Sequence, residues 1–319
     1  MNFSRLITIF APNSTRAPIY FGEVRAELTT FADERRLDFR EIAINRLPYR
    51  DARAAIARQL ADGDLAVVAG GDGLANVALD AVMTSEKSAT LAVLPLGGFN
   101  DFAHALNGRT DDPRKILASE PRDFYPLDVR VNGGHEFFVA QYITFGAGAK
   151  LAEFLNSAAS RDLRAKVRGQ GALFGALCVL NYGKIFRAIG DPAKAMPPFR
   201  RAGKDFRENN VGFMLGAIGG YFHPRAGDFQ FRDREFFFHH ASLSGRAPRD
   251  VPLISSWALR GMPGETTTRE KLDFSRPVNL LCQIGGDEIT LKKVCEVSAT
   301  RSARAIKIFA PRAEKIQQN

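Results

Sequence analysis

Hydrophobic and polar positions in the first part of the chain alternate between short apolar runs and stripes at helical spacing. Leu6–Ala11 reads as a strand, Phe21–Phe31 as a helix, Phe39–Ile44 as a second strand and Asp51–Leu60 as a second helix. Leu65–Ala69 is an unbroken apolar run, the pattern of a strand covered on both faces. Behind it Leu74, Val77, Ala78, Ala81 and Val82 recur at helical spacing. Ala89–Pro95 and Phe102–Leu106 repeat the strand-then-helix unit, with Asn100 or Asp101 as N-cap, and Arg114–Leu117 adds a short helix. This alternation predicts a parallel, doubly wound sheet with right-handed crossovers. Pro121–Pro126 reads as a boundary. From Leu127 the texture changes to β segments between glycine or charged turns: Asp128–Val131, Glu136–Thr144, Gly212–Ala217, Phe229–His240 and Val278–Ile284. These predict a second, mainly antiparallel β domain. Ala305–Ala310 is one more strand-like run.

Two glycine turns carry the chemistry. Gly70-Gly71-Asp72-Gly73 joins an apolar strand to a helix, and Leu96-Gly97-Gly98-Phe99-Asn100-Asp101 does the same one unit later. Glycine lets the backbone turn sharply and lets a ligand approach without meeting a Cβ. The unpaired N–H groups where the helix begins suit phosphate. Asp72 would repel a bare phosphate, so the pattern favours phosphate with a divalent cation held by that carboxylate. In a parallel sheet both turns lie at the carboxyl edge, where ligands of open α/β sheets bind.

Composition narrows the partners. The 319 residues suggest two domains, and 45% hydrophobic with 25% charged residues is ordinary for a globular protein. A net charge of +9 points to anionic partners such as nucleotides or anionic lipid headgroups. It would also allow nucleic acid, but no recognised module or basic-aromatic motif supports that partner. Cys178, Cys282 and Cys295 form neither a zinc motif nor a disulfide framework, which suggests a reducing compartment. The histidines lack metal-ligand spacing, and there is neither a Walker P-loop nor a G-x-S-x-G elbow. No apolar segment reaches the roughly 20 residues of a membrane span, so a membrane would be met peripherally. In Ser160–Ile189 the basic residues Arg161, Arg164, Lys166 and Arg168 precede apolar Leu173–Leu180, and Lys184 and Arg187 follow. That segment suits docking on anionic lipid, or a packed helix with a solvated basic end. Phe229, Phe231, Phe236, Phe237 and Phe238 read as core of the β domain in preference to a lipid groove.

Gly70-Gly71-Asp72-Gly73, followed by Pro95-Leu96-Gly97-Gly98-Phe99-Asn100-Asp101-Phe102-Ala103, resembles the paired motifs of the diacylglycerol kinase catalytic-domain family, which includes bacterial lipid, sphingosine and ceramide kinases. The resemblance implies an N-terminal α/β nucleotide-binding domain over residues 1–126, to which 302–319 return, and a C-terminal antiparallel β-sandwich lipid domain over 127–301. It implies ATP and Mg²⁺ as cofactors and a membrane lipid, diacylglycerol-like or sphingoid/ceramide-like, as acceptor. The protein would sit in the cytoplasm at the inner membrane face, on an anionic surface, and a homodimer is compatible with this. On the matching positions, Asp72 is the expected metal ligand. Asn13, Gly70, Gly71, Gly73, Asn76, Gly97, Gly98, Asn100 and Asp101 are expected at the nucleotide, and Gly146 in a glycine-containing segment after the early β strands. Three positions depart from the family: Leu74 replaces Thr, Gly98-Phe99 replaces Thr-Gly, and Gly285 stands where the third motif places its Asp. Asp287 or Glu288 is then the candidate base, another carboxylate serves, or activity is lost. Two alternatives stay open. One is a non-catalytic nucleotide- or lipid-binding protein of this fold. The other is an NAD(P)-dependent oxidoreductase, for which Gly71-x-Gly73-x-x-Asn76 is a near miss to the dinucleotide fingerprint.

Overall fold

The structure, a computed structural model, describes residues 3–14, 16–97, 100–107, 110–146, 148–150, 196–206, 211–216, 235–242, 252 and 264–311. Gly98, Phe99, the basic segment 160–189, Phe229 and Phe231 lie outside the described residues.

The N-terminal sheet has six strands: β1 (Arg5–Phe10), β2 (Asp38–Ala43), β3 (Asp64–Gly70), β4 (Thr90–Pro95), β5 (Pro121–Phe124) and β16 (Ile306–Phe309). Their order is β2-β1-β3-β4-β16-β5, parallel except for β5 against β16. The chain end therefore returns to the first sheet. Pro121–Pro126, read as a boundary, contains the edge strand β5. Among the described residues its strand partner is β16, some 180 residues away in sequence, as Phe124 faces Ile306, and the next strand, which begins at Leu127, belongs to the second sheet.

Both faces of the sheet are covered, which is why its central strands read as unbroken apolar runs. On one face Leu6, Leu65, Val67 and Leu94 meet Tyr20, Val24, Leu28 and Ala32 of a helical stretch, together with Ile116 and Leu117 of α6 (Pro113–Leu117). The stretch comprises α1 (Ala17–Ile19), a wider i→i+5 turn (Tyr20–Val24) and α2 (Arg25–Arg35). On the other face Ile7, Ile9, Ala66 and Val68 meet α3 (Tyr49–Ala57), α4 (Asp72–Ser85) and α5 (Asp101–Asn107).

The second sheet is antiparallel, and its core is continuous with that of the first. Its strands are β6 (Leu127–Val131), β7 (Gly134–Val139), β8 (Tyr142–Phe145), β9 (Phe199–Arg201), β10 (Lys204–Phe206), β11 (Val211–Gly216), β12 (Phe236–Ser242), β13 (Gly264–Thr267), β14 (Arg269–Ile284) and β15 (Asp287–Arg301). The main path runs β13-β12-β11-β8-β14-β15-β6-β7, and β9 joins β14 at its side. Register shifts between Asp273 and Leu280 bend β14. The long β14–β15 hairpin turns at Gly285-Gly286, both at positive φ (55° and 103°). The end strand β7 lies against α4 of the first domain.

Candidate active site

The site forms where β3 and β4, paired from Leu65↔Thr90 to Gly70↔Pro95, end side by side. The Leu96 N–H donates to the Gly70 carbonyl at 3.1 Å, so the strands stay in step into their turns. The turns touch: a Cβ on Gly97 would stand 2.2 Å from the Gly71 Cα, so only glycine permits the approach. Asn100, at φ 58°, closes the second turn. Its Oδ1 accepts the Gly97 N–H at 2.6 Å and its Nδ2 donates to the Gly97 carbonyl at 3.0 Å.

Asp72 ties one turn to the other. Its carboxylate accepts the Asp101 N–H at 3.2 Å and the Phe102 N–H at 2.8 Å. Helix α5 is therefore capped by Asp72 and not by Asn100, whose amide is spent on Gly97. Desolvation pushes Asp72 above the usual carboxylate range, against the opposing pull of those amides. Asp101 is also raised, to about 7, through burial and then the charge of Asp72. Two buried carboxylates that resist ionising together form a pair of hard oxygen donors.

The second domain supplies the third part. The β14–β15 turn packs on the first glycine turn so closely that a Cβ on Gly73 would lie 3.1 Å from both Asp287 Oδ2 and the Gly285 carbonyl. A Cβ on Gly285 would lie 2.7 Å from the Asp72 carbonyl oxygen. Asp287 as a residue remains exposed, but desolvation of its carboxylate, followed by the Glu288 charge, lifts it to about 6. Glu288 is exposed beside it. Leu74 covers Gly70: a Cβ there would meet Leu74 Cδ2 at 2.7 Å. Asn13 is an exposed turn residue just beyond Phe10, which pairs with Ala69, so it shares this edge of the sheet.

Asn76, expected at the nucleotide, is 1% exposed and fully used by the protein. Its Nδ2 donates to the Tyr49 hydroxyl at 2.7 Å and to the Phe138 carbonyl at 3.4 Å, and its Oδ1 accepts the Ala140 N–H at 2.7 Å. A buried amide so satisfied binds the second domain, not a ligand. Sequence reasoning also missed Asp80, Tyr49 and Arg53. The Asp80 carboxylate is fully buried and accepts from the Phe138 N–H (3.0 Å), Arg53 (3.0 Å) and the Tyr49 hydroxyl (3.1 Å). The available signal was an acid within an otherwise apolar helix, four residues after Asn76.

Among the described residues no three His, Cys, Asp or Glu side chains converge as a complete metal cage. Asp72 and Asp101 nevertheless fit Mg²⁺, which commonly takes one or two carboxylates and completes its shell with water and phosphate oxygens.

Residues 10–125 match the family model "Diacylglycerol kinase catalytic domain". Two Pseudomonas aeruginosa proteins, each named "Probable lipid kinase YegS-like", are 33% identical over 172 residues. That match covers 54% of this chain and 53% of theirs, so the chain spans about half the length of these curated relatives. A Bacillus subtilis diacylglycerol kinase is 32% identical over 105 residues, 31% of this chain and 32% of that protein. Two solved structures from Bacillus anthracis str. Sterne, one titled "A putative diacylglycerol kinase" and one "The crystal structure of a diacylglycerol kinases", superpose with TM-scores of 0.64 and 0.57 at 16% and 14% identity. Both superpositions cover 97% of this chain and 98% of theirs, so the likeness of fold extends through both domains. Residues 10–125 are thus similar to a diacylglycerol kinase catalytic domain, and both domains share the fold of the Bacillus anthracis structures.

Proposed function

We propose that the protein transfers the γ-phosphoryl group of ATP, with Mg²⁺, to the primary hydroxyl of a membrane lipid. The observation that carries this reading is the meeting of two glycine turns, the Asp72–Asp101 pair and Asp287 at one sheet edge. Phosphoryl transfer needs a cradle for phosphate, a cation to neutralise its oxygens and a group to orient or deprotonate the acceptor. The backbone around Gly70–Gly73 and Gly97 supplies the cradle. Asp72 and Asp101 would hold Mg²⁺, which neutralises charge on the phosphate oxygens when bound. Asp287 is the base: at about 6 its carboxyl is ionised at neutral pH yet basic enough to take the hydroxyl proton as the lipid oxygen attacks phosphorus and ADP leaves. Glu288 tunes it by charge. The acceptor is diacylglycerol-like or sphingoid/ceramide-like. The basic balance of the chain suits a peripheral approach to an anionic bilayer.

The test mixes the purified protein, labelled ATP and Mg²⁺ with micelles of diacylglycerol, sphingosine or ceramide. Label should enter one lipid. Asp72→Asn should abolish it, and Asp287→Asn should lower kcat by about 10²–10⁴-fold with ATP binding retained. An active Asp72→Asn protein would overturn the assignment. The second reading, a binding protein without catalysis, draws on Gly285, where no side chain can be accommodated. Transfer of label to any lipid, lost in Asp72→Asn, removes it.

A further inference from the structure

Helix α4 begins at Asp72 and one turn later turns a polar edge to the second domain. Asn76 and Asp80, four residues apart, meet Phe138 and Ala140, two residues apart on the strand side. A helical advance of about 6 Å for four residues matches a strand advance of about 6.8 Å for two. Asn76 and Asp80 thereby satisfy the outward N–H and C=O groups of an end strand that lacks a further strand partner among the described residues. Arg53, paired with Asp80, adds a hydrogen bond to the Glu136 carbonyl at 3.0 Å.

From that clamp the chain runs straight into β8. Ile143, three residues past Ala140, pairs with Ile284, and Thr144 pairs with Gln283. A buried hydrogen bond from Thr144 Oγ1 to Gln283 Oε1, at 2.9 Å, reinforces this register. Ile284 is followed at once by Gly285, whose backbone abuts the Asp72 carbonyl, and then by Asp287 against Gly73. The contacts close a ring: Asp72, one turn of α4, Asn76, Ala140, β8, Ile284, the hairpin turn, and Asp72 again.

We propose that Asn76 and Asp80 are positioning residues, which hold the second domain in the register that sets Asp287 against the Asp72–Gly73 turn. This rests on the kinase reading given above. They touch no reacting atom and act through Asp287. Losing the clamp loosens the ring at its far side, the hairpin tip, more than it disturbs nucleotide binding on the first domain.

The test uses Asn76→Ala and the near-isosteric Asp80→Asn in the full chain, each alone and combined with Asp287→Asn. Expected are a kcat at least tenfold lower at saturating lipid, an ATP KM within twofold of the unsubstituted protein, and a further loss under threefold once Asp287 is already Asn. Equal fold-losses in both backgrounds, or an unchanged kcat, would overturn the proposal. Hydrogen exchange provides an arm that does not depend on the kinase reading. Amides 285–288 should exchange at least tenfold faster in Asn76→Ala, with those of β1 and β2 unchanged. Acceleration confined to residues around 76–80 and 136–140 would overturn the ring even if no lipid were phosphorylated. If Asn76→Ala does not fold, Asp80→Asn, which keeps the acceptor for the Phe138 N–H, carries both arms to the same decision.

Discussion

Single residues at the site are set by close approach and unshared charge. Gly97 is the tightest: an added Cβ would meet backbone on Gly71, which cannot swing aside as a side chain could. Gly97→Ala should therefore cost about 1–3 kcal/mol of stability by overpacking, read from urea unfolding, and most of the kinase activity. Gly285 is constrained twice, by φ of 55° and by the Asp72 carbonyl. Introducing the family's acid there with Gly285→Asp should lower activity, not restore it, because the hairpin tip must lift off the first glycine turn. A rise in lipid phosphorylation would show that reasoning to be wrong. Asp101 gives a pH signature. Its carboxyl keeps a proton up to about 7 in the folded chain, against 3.8 for an ordinary aspartic acid, with Asp72 opposite it and His104 facing Asp72 on the same helix. Its contribution to stability is complete below 3.8 and is lost as pH rises through about 7. Asp101→Asn should then raise the melting temperature relative to the unsubstituted protein at pH 8 and lose that advantage near pH 4. Added Mg²⁺ should stabilise the unsubstituted protein at pH 8 more than the variant.

At the scale of elements, burial on both faces made β3 and β4 legible, because continuous apolar runs need no knowledge of partners. The helical stripe of α4 and the two glycine turns were legible for the same local reason. What stayed hidden depended on distant chain. Asn76 reads as part of a glycine motif until the β7 edge that it satisfies is seen. The strand expected over Val278–Ile284 extends back to Arg269, and its charged, alternating first half is explained only when β15 is laid beside it, with Leu272 facing Val297. Asp80 is the clearest instance, since a lone acid among apolar residues says that a partner exists and not which one. Asp80→Ala would leave the part-buried Arg53 guanidinium without its carboxylate partner and the Phe138 N–H without its acceptor. Removing one partner of a buried pair costs about 3–5 kcal/mol, and chemical denaturation should show a loss of that size.

At the scale of the molecule, a net charge of +9 belongs to the chain as a whole and would act on an anionic surface at a distance. Co-sedimentation with vesicles rich in anionic lipid should fall severalfold between about 0.05 and about 0.3 M salt, as screening shortens the reach of that charge. Vesicles of neutral lipid should bind weakly throughout. The placement of β16 has a further consequence, in the order of events during synthesis. The ribosome delivers β4 and β5 long before the strand that must lie between them, and everything from Leu127 to Arg301 is made in the interval. Until Ile306–Phe309 emerges, the flank of β4 stands open as a template for other strands. The first sheet is thus begun before the second and completed after it, and the nascent chain is the form most exposed to mispairing.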